Sequence, residues 1–259
     1  MQEPKVGPGE HVEHRVAVVK RLLRRYPYVF LAPLGGLLAV LFLLVVRPVF
    51  LEVARVNVVG NAHFTSGQIR EVAKAPTEAS FFSFPSRRVR ANLLAESRIR
   101  TVTVKRDFPS TVVITVAERR PIARVKHEGT WILIDGEAVV LGPGRGAAAQ
   151  ALPRIERLRV ADLPEGKQVR TASLDNALKA LSSLDKDLKR VVRSVRAGSV
   201  DEMMLITEEG IEILYGEADK VEQKNYVLKK ILAGKTDNII YVDLRVYTNP
   251  VVKRLGKGG

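Results

Sequence analysis

The sequence contains no cysteine and only four histidines, His11, His14, His63 and His127. Without cysteine there is no disulfide framework and no thiolate chemistry, a composition compatible with an exported protein. The histidines are scattered, and they do not share a spacing that would hold a metal ion. We therefore predict that the chain has no metal site.

Charge is missing from one long segment of the chain. Val29 to Val46 is a run of 18 residues without a formal charge, and as a helix it would be about 27 Å long. The hydrocarbon core of a bilayer is about 30 Å thick. Pro33 falls in the first helical turn, where its missing N–H is tolerated, and Arg47 near the other end can reach the interface. The sequence predicts a single transmembrane helix over residues 29–51.

The residues before this segment, 1–28, form a short basic tail. Four of its basic residues lie between Lys20 and Arg25, next to the apolar run. The positive-inside rule therefore places the tail in the cytoplasm and residues 52–259 outside. A cleaved signal peptide would have a shorter apolar region and a small-residue cleavage site, and Pro48 to Val56 offers only a poor one. We predict an uncleaved, single-pass anchor in the cell membrane.

Acidic residues are fewer than basic ones. When the residues before Pro48 are set aside, 35 basic and 25 acidic residues remain, a net charge of +10. Such a charge can meet nucleic acid, anionic lipid or an acidic wall polymer. An extracytoplasmic location excludes nucleic acid, and we interpret the excess as a solvated basic surface.

Residues 52–121 show strand and helix patterns in the order β-α-α-β-β. The strand patterns cover Val53 to Gly60, Ile99 to Arg106 and Thr111 to Glu118. Each strand alternates apolar and polar residues, so each keeps one apolar face. Thr65 can cap a helix over Ser66 to Lys74, and a second helix is predicted over residues 86–96. Because two helices can cover one side of a small sheet, the pattern predicts an α+β fold.

Several side chains of this region are assigned to a core. In the two helices they are Ile69, Val72, Ala73, Val89, Leu93 and Leu94, and in the middle strand they are Val102 and Val104. The loop between the helices carries Phe81, Phe82 and Phe84, which we expect to fold back on the core rather than to bind a partner.

The βααββ order directly after a membrane span resembles a POTRA (polypeptide-transport-associated) domain. The residues are similar to those of the FtsQ/DivIB cell-division family. Three segments carry the resemblance: VNVVGN at Val56 to Asn61, TSGQI at Thr65 to Ile69, and VTVKRDFPSTVVITVAERRPIARV at Val102 to Val125. The FP before the last strand and the ERxP after it are the most specific pieces.

Residues 122–255 form a second predicted domain, which is rich in strands. Asp135-Gly136 predicts a tight hairpin, and Gly142 to Ala149 is expected to be a flexible loop. Apolar residues spaced three to four apart predict one long helix over Thr171 to Val195 and a basic amphipathic helix over Asp219 to Ala233. We place Lys220, Lys224, Lys229 and Lys230 on the solvent side of the second helix.

The resemblance continues through this second region. LPxI at Leu152 to Ile155, Gly216 and YVDLR at Tyr241 to Arg245 also resemble FtsQ/DivIB proteins. A hairpin is predicted around Glu208-Glu209-Gly210, and the last clear strand runs from Asn238 to Tyr247. Its residues are expected to alternate between a face packed on the preceding helix, with Ile240, Val242, Leu244 and Val246, and an outward face, with Tyr241, Asp243, Arg245 and Tyr247. The likeness covers about Val53 to Val252.

No motif of the chain survives as a candidate for chemistry. Gly142 to Ala147 fits the loose dinucleotide pattern, but Pro153 stops the helix that would have to hold a pyrophosphate. Ser183 to Lys186 matches S-x-x-K without the partner motifs of penicillin-binding enzymes. We therefore predict no catalytic residue, no cofactor and no small-molecule substrate.

The resemblance implies a bitopic scaffold of the bacterial division machinery at the septum, which links early division proteins to the complex that builds septal peptidoglycan. It implies two small single-pass coiled-coil partners, of the FtsB/DivIC and FtsL types, on the extracytoplasmic side. An alternative is another single-pass POTRA protein that acts as a chaperone for exported polypeptides. A membrane-anchored wall enzyme is the third hypothesis.

Two surfaces are predicted to carry these contacts. Because the last strand is expected to lie at a sheet edge, it offers unpaired N–H and C=O groups to an added strand. The partner-binding residues are predicted to be Tyr241, Asp243, Arg245, Val246, Tyr247, Val251 and Val252. The resemblance also implies that the POTRA-like region serves recruitment to the division site. We assign this role to Val104 and Arg106, of which Arg106 is the better candidate because Val104 shares an apolar face.

Overall fold

The computed structural model describes residues 28–46, 52–76, 79–234 and 238–255 of the chain. Helix α1 spans Tyr28–Val46, and its described side chains, those of residues 33–44, are all exposed. Among the described residues, no helix has the length and apolar character needed to cross a membrane. The predicted basic tail, except for Tyr28, and residues 47–51 of the predicted span lie outside the described residues.

The chain divides into two compact units. The first consists of the described parts of Met1–Asn57 and Ala75–Pro85, together with Lys105–Val113. The second consists of Val58–Lys74, Ser86–Val104 and the described part of Ile114–Gly259.

The predicted βααββ order is confirmed. The elements are β1 (Arg55–Val59), α2 (Ser66–Ala73), α3 (Ser86–Leu94), β2 (Ile99–Asp107) and β3 (Thr111–Glu118). The strands form a three-stranded sheet in the order β1-β3-β2.

Local chemistry explains where helix α2 begins and ends. The Thr65 hydroxyl accepts from the backbone N–H of Gln68, and the Gln68 side chain accepts from the backbone N–H of Thr65. This reciprocal capping box satisfies two donors that would otherwise be free at the helix start. The helix ends where Lys74 enters the left-handed region. The prediction that Thr65 caps this helix is confirmed.

Most of the assigned core residues of this region are buried. Ile69, Ala73, Val89, Leu93 and Val102 are all at most 4% exposed, whereas Val72 and Val104 are half-buried. The prediction for Leu94 was wrong, because it lies at the last residue of α3 and is 42% exposed.

The three aromatic side chains of the loop before α3 differ in burial. Phe81 and Phe84 are buried, as expected, but Phe82 is 59% exposed. The Phe82 ring still contacts the edge of Phe81, with ring centroids 5.5 Å apart. The expectation that these aromatics fold back on a core is therefore right for two rings and wrong for Phe82.

The rest of the chain builds a nine-stranded mixed sheet. Its strands are β4 (Pro121–His127), β5 (Thr130–Asp135), β6 (Val140–Pro143), β7 (Arg154–Glu156), β8 (Val192–Arg196), β9 (Met204–Thr207), β10 (Glu212–Leu214), β11 (Ile239–Asp243) and β12 (Val251–Arg254). The strand order is β12-β11-β10-β9-β8-β7-β4-β5-β6. The predicted hairpins at Asp135-Gly136 and at residues 208–210 are both present, as β5-β6 and β9-β10. Helices α5 (Ala172–Ser183) and α7 (Val221–Ala233) contribute buried residues to the same apolar core as strands β4, β8 and β11.

The single long helix predicted over Thr171 to Val195 was wrong. The chain forms α5 and a short helix α6 (Lys186–Val191), and it then becomes strand β8. Leu184 is extended, and the Asp185 carboxylate accepts from the N–H groups of Asp187 and Leu188 as a new N-cap. Strand β8 pairs between β7 and β9. Its β-branched valines favour an extended backbone, so this segment joins the sheet although its apolar residues have helical spacing.

Two further expectations for this region are corrected. Part of the predicted flexible loop is a short helix, α4 (Gly146–Gln150). Lys224, which we placed on the solvent side of its helix, is 2% exposed. Its ammonium donates to the carbonyls of Tyr215 and Glu217 and pairs with Asp219 at 2.8 Å. Burial is tolerated because all three donors have partners. The ion pair with Lys224 in turn holds the Asp219 pKa below its usual range, against a smaller effect of burial.

Candidate partner-binding edge

Strand β11 does not lie at the edge of the sheet, and this part of the prediction was wrong. It pairs in parallel with β10 and antiparallel with β12. The edge strand is β12, Val251–Arg254, which follows the turn at residues 248–250. With only four residues, two of them basic, this strand is too short and too polar for its alternation to be recognised in the sequence. The one signal is Thr248-Asn249-Pro250 before two valines, which is typical of a turn. Of the predicted residues, Val251 and Val252 lie on the true edge strand.

The register assigns the side chains of this edge to two faces. Val242 pairs with Val252, and both contact the apolar core. Tyr241 pairs with Lys253 and Asp243 pairs with Val251. Because successive residues of a strand point to opposite faces, these four side chains lie on the face away from the core.

An irregularity in the pairing accounts for a further departure from the predicted alternation. The register shifts between Ile239 and Tyr241, as in a β-bulge. Ile239 therefore becomes buried, while Ile240 is 42% exposed. Of the four residues predicted to share one buried face, Val242 and Leu244 are buried, whereas Ile240 and Val246 are exposed.

Charged and aromatic groups are paired on the outer face. The Arg245 guanidinium donates to Asp243 at 2.7 Å. This bond holds the pKa of the Asp243 carboxyl below its usual range, although partial burial opposes the effect. Lys253 lies over the Tyr241 ring at 5.4 Å, and burial together with the Asp243 charge raises the Tyr241 pKa. The result is a face of compensated charges with an exposed valine, Val251, among them.

Glycine at position 216 makes room for this arrangement. Gly216 has φ +66°, and a Cβ there would come within 2.8 Å of the Arg245 side chain. Any other residue would push Arg245 away from Asp243 and would also strain the backbone. The resemblance noted for Gly216 thus has a local physical reason.

The turn between β11 and β12 has a hollow on either side. One, of about 450 Å³, is lined by Asp243, Arg245, Val246, Asn249 and Val251. The other, of about 560 Å³, is lined in part by Tyr226, Val227 and Tyr247. Tyr247 was expected to face out, but it is half-buried, and Lys220 lies over its ring at 5.6 Å.

The second predicted surface lies on strand β2, at the edge of the three-stranded sheet. The Arg106 guanidinium donates to the carbonyl oxygens of Phe82 and Phe84, at 2.8 and 3.1 Å. Arg106 is exposed, but it also holds the aromatic loop in place. Val104 is half-buried, as its apolar pattern suggested.

The ERRP segment has structural roles that sequence reasoning missed. The Glu118 carboxylate accepts from the backbone N–H groups of Ala62, His63 and Phe64, at 2.8 to 3.2 Å. Burial opposes its ionisation, but these three donors hold the Glu118 pKa below its usual range. Arg119 binds the carboxylates of Asp135 and Glu137, at 2.6 and 2.8 Å. The charged residues of ERRP and of DGE at Asp135 to Glu137 are visible in the sequence, but no pattern predicts that they pair with each other.

The described part of the chain contains no cluster of metal ligands. No three of its histidine, aspartate and glutamate residues come together as a possible metal set.

A βααββ segment followed by a β-rich region defines a protein of the POTRA-containing class. Residues 51–119 match the family of FtsQ-type POTRA domains, and residues 123–245 match the C-terminal family of the cell division proteins FtsQ and DivIB. The chain belongs to the FtsQ/DivIB family of cell division proteins. The second match ends at Arg245, so strand β12 lies beyond it.

Individual relatives agree with this assignment. The chain is 30% identical over 210 residues to the cell division protein FtsQ of Streptomyces bingchenggensis, covering 78% of this chain and 76% of that protein. It is 26% identical over 206 residues to FtsQ of Streptomyces collinus, covering 78% and 77%. It is 21% identical over 207 residues to DivIB of Staphylococcus aureus, covering 75% of this chain but only 44% of that longer protein.

Proposed function

We propose that this protein is a scaffold of the division machinery rather than an enzyme. It links early division proteins to the complex that makes septal peptidoglycan, and it does so through its extracytoplasmic region. The partners are small coiled-coil membrane proteins of the FtsB/DivIC and FtsL types. The observation that carries the proposal is the terminal position of β12 in the nine-stranded sheet, where no further strand of the described residues pairs with it.

An open edge strand provides affinity and specificity by different groups. Its outward N–H and C=O groups can pair with an extended segment of a partner, which adds a tenth strand. Alternate side chains of that segment then meet the outer face, where Val251 is 51% exposed and the Asp243–Arg245 pair lies beside it. Of the other predicted contact residues, Tyr241 lies on the same outer face, and Val246 and Tyr247 line the two hollows at the turn. Val252 faces the core and can contribute only its backbone groups to such a contact.

The proposal includes a membrane anchor. We propose that residues 29–51 cross the cell membrane, with residues 1–28 in the cytoplasm, residues 52–121 as the POTRA domain and residues 122–255 as the partner-binding domain. The uncharged run from Val29 to Val46 and the exposure of the leucines of α1, such as Leu37 at 64%, support it. A phosphatase reporter fused after Gly259 is expected to be active, and one fused after Arg15 inactive. The reverse pattern would contradict the anchor.

Recruitment to the septum is proposed to use the edge at β2. Arg106→Glu is expected to weaken septal localisation. Because Arg106 also holds the aromatic loop, Arg106→Lys provides a control that keeps the charge and loses the two-pronged hydrogen bonding. Loss in both variants would point to the loop, and normal localisation of Arg106→Glu would remove this residue from the site.

The main test is removal of the edge strand from the full chain. A chain that ends at Arg245 lacks β12, whereas a control that ends at Leu255 keeps every described residue. Both are expressed with the two coiled-coil partners and recovered from the membrane. We expect the control to capture both partners and the shorter chain to capture neither. A folded chain ending at Arg245 that still captures them would place the site elsewhere.

A further inference from the structure

A cleft of about 670 Å³ lies far along the sheet from β12, beside strands β5 and β6. Four of its lining residues are arginines: Arg98, Arg119, Arg120 and Arg145. Among the described residues that line it there is no lysine, and Glu118 is the single carboxylate. Cations of one kind thus surround a cavity whose size falls in the range of ligand sites.

Two of the polar residues in the cleft wall already have partners. Glu118 accepts three backbone hydrogen bonds and lies 3.2 Å from the His63 ring nitrogen. Arg119 is compensated by Asp135 and Glu137. These groups fix the wall of the cleft and leave no charge there for a ligand.

The other three arginines are not compensated. Arg120 and Arg145 are exposed and Arg98 is half-buried. Among the described residues, no carboxylate forms an ion pair with any of the three, although ion pairs are common elsewhere in the same unit. Three guanidinium groups therefore line one cavity without an anion.

The floor of the cleft is aliphatic. Leu133, Leu141 and Ala149 belong to a small apolar cluster, and Leu152 packs against it. The described lining residues include no Phe, Tyr or Trp, so they offer no aromatic platform for a stacked base. A ligand that matches it has aliphatic groups for the floor and anionic groups for the rim.

We propose that this cleft binds an extended acidic segment of a partner protein, with carboxylates on either side of an aliphatic side chain. Arginine, unlike lysine, presents a planar fork that binds a carboxylate through two parallel hydrogen bonds. Charge complementarity with Arg98, Arg120 and Arg145 selects the acidic groups, and the leucine floor receives the aliphatic one. This site is separate from the β12 edge and does not depend on the function proposed for that edge.

The test uses a capped ten-residue peptide in which aspartate and leucine alternate, titrated into the full chain in a mild detergent. Binding is followed by fluorescence anisotropy, and the leucine methyl resonances of the chain are followed by NMR. We expect shifts at Leu133, Leu141 and Leu152, and an affinity that falls as salt is added. Peptides with serine in place of leucine, or lysine in place of aspartate, are expected to bind at least about tenfold more weakly.

Charge reversal assigns the binding to the cleft. The triple variant Arg98→Glu, Arg120→Glu and Arg145→Glu is expected to lose at least about tenfold in affinity. Arg193→Glu, an exposed arginine outside the cleft, and the chain ending at Arg245 are expected to bind as the parent does. The methyl shifts of the unchanged chain remain informative if the triple variant misfolds.

Three outcomes would overturn the proposal. One is methyl shifts away from the three leucines. Another is an affinity that the folded triple variant retains. The third is arginine-dependent binding to phosphatidylglycerol vesicles without peptide binding, which would make the cleft a lipid site.

Discussion

The two ends of the nine-stranded sheet are finished in different ways. At one end, β6 is covered: the N–H of Val140 donates to the carbonyl of Lys167 at 3.0 Å, and the N–H of Gly166 donates to the carbonyl of Val140 at 2.8 Å. At the other end, the sheet stops at β12, three of whose four side chains are exposed. Uncovered edges invite pairing with other chains, and proteins usually cover or blunt them. Among the described residues, no segment covers the β12 end, and this difference supports the proposal that a partner pairs there.

Ion pairs and hydrogen bonds of carboxylates also stabilise the covered end. Asp135 accepts from the N–H groups of Glu137 and Val139, and it pairs with Arg119. The Glu137 carboxylate forms ion pairs with the guanidinium groups of Arg119 and Arg100. At β12 the ion pair Asp243–Arg245 lies on the surface, with the Arg245 side chain 53% exposed. We therefore expect substitutions at the covered end to change stability and substitutions at the open end to change binding.

The largest effect is expected at the covered end, from Arg119→Ala. It leaves Asp135, 4% exposed, as a buried charge without its cation. The free energy of unfolding should fall by about 3 kcal/mol, measured by urea denaturation with the single tryptophan, Trp131, as the probe. Arg193→Ala, at an exposed position, should change it by less than about 0.5 kcal/mol. Equal free energies of unfolding for the two variants would show that Arg119 does not stabilise the covered end.

A smaller loss is expected from Gly142→Ala on β6. Gly142 has φ +82°, and a Cβ there would lie 2.6 Å from the Glu165 carboxylate. Gly129, with φ +81° and open space around it, is the matched control because it carries the backbone strain without the close contact. We expect about 1 kcal/mol for Gly129→Ala and about 2 kcal/mol for Gly142→Ala in the same denaturation experiment. Similar losses would show that the covering segment moves aside freely.

At the open end the expected effect is on binding. Lysine on an edge strand discourages pairing, so Val251→Lys should weaken capture of the coiled-coil partners about tenfold. Its unfolding free energy should stay within about 0.5 kcal/mol of the parent, because Val251 is on the exposed face. Thr130→Lys places the same charge on an exposed position of the inner strand β5. If both variants bind equally well, the edge at β12 is not the site.

The smallest effect is a pH dependence of stability that the two ends share. Hydrogen bonding to Arg119 lowers the Glu137 pKa, and hydrogen bonding to Arg245 lowers the Asp243 pKa. A lowered folded pKa gives stability that is present above the unfolded value, about 4 for both carboxylic acids, and is lost as the pH falls through the folded value. Glu137→Gln and Asp243→Asn should therefore each flatten stability below about pH 5. Because the two carboxylates are partly exposed, each change should stay under about 1 kcal/mol.

Sequence periodicity predicted most of the elements but not their order in the sheet. The bounds of β3 were predicted to the residue, since alternation, a turn before it and ERRP after it all agree. Strand β8 was misread as helix because its valines continue the 3–4 spacing of α5, and only the gap between β7 and β9 decides their conformation. Lys224 was misplaced because its carbonyl partners come from a separate loop.

For the candidate site too, the sequence predicted the residues but not the order of the strands. The residues around β12 were named from the sequence, but the edge itself was assigned to β11. Four residues with two basic side chains carry too little alternation to identify a strand. The covered end at β6 depends on hydrogen bonds to residues 166 and 167, which no local pattern predicts.

Amide hydrogen exchange across Val251–Arg254, with and without the coiled-coil partners, tests the open edge most directly. In the free chain, the β12 amides that point away from β11 should exchange rapidly, whereas those of Val140 and Gly166 at the covered end should be protected. On partner binding, alternate amides of β12 should slow by at least about tenfold, as one added strand requires. Partners that bind while every amide of β12 keeps its free exchange rate would contradict the account.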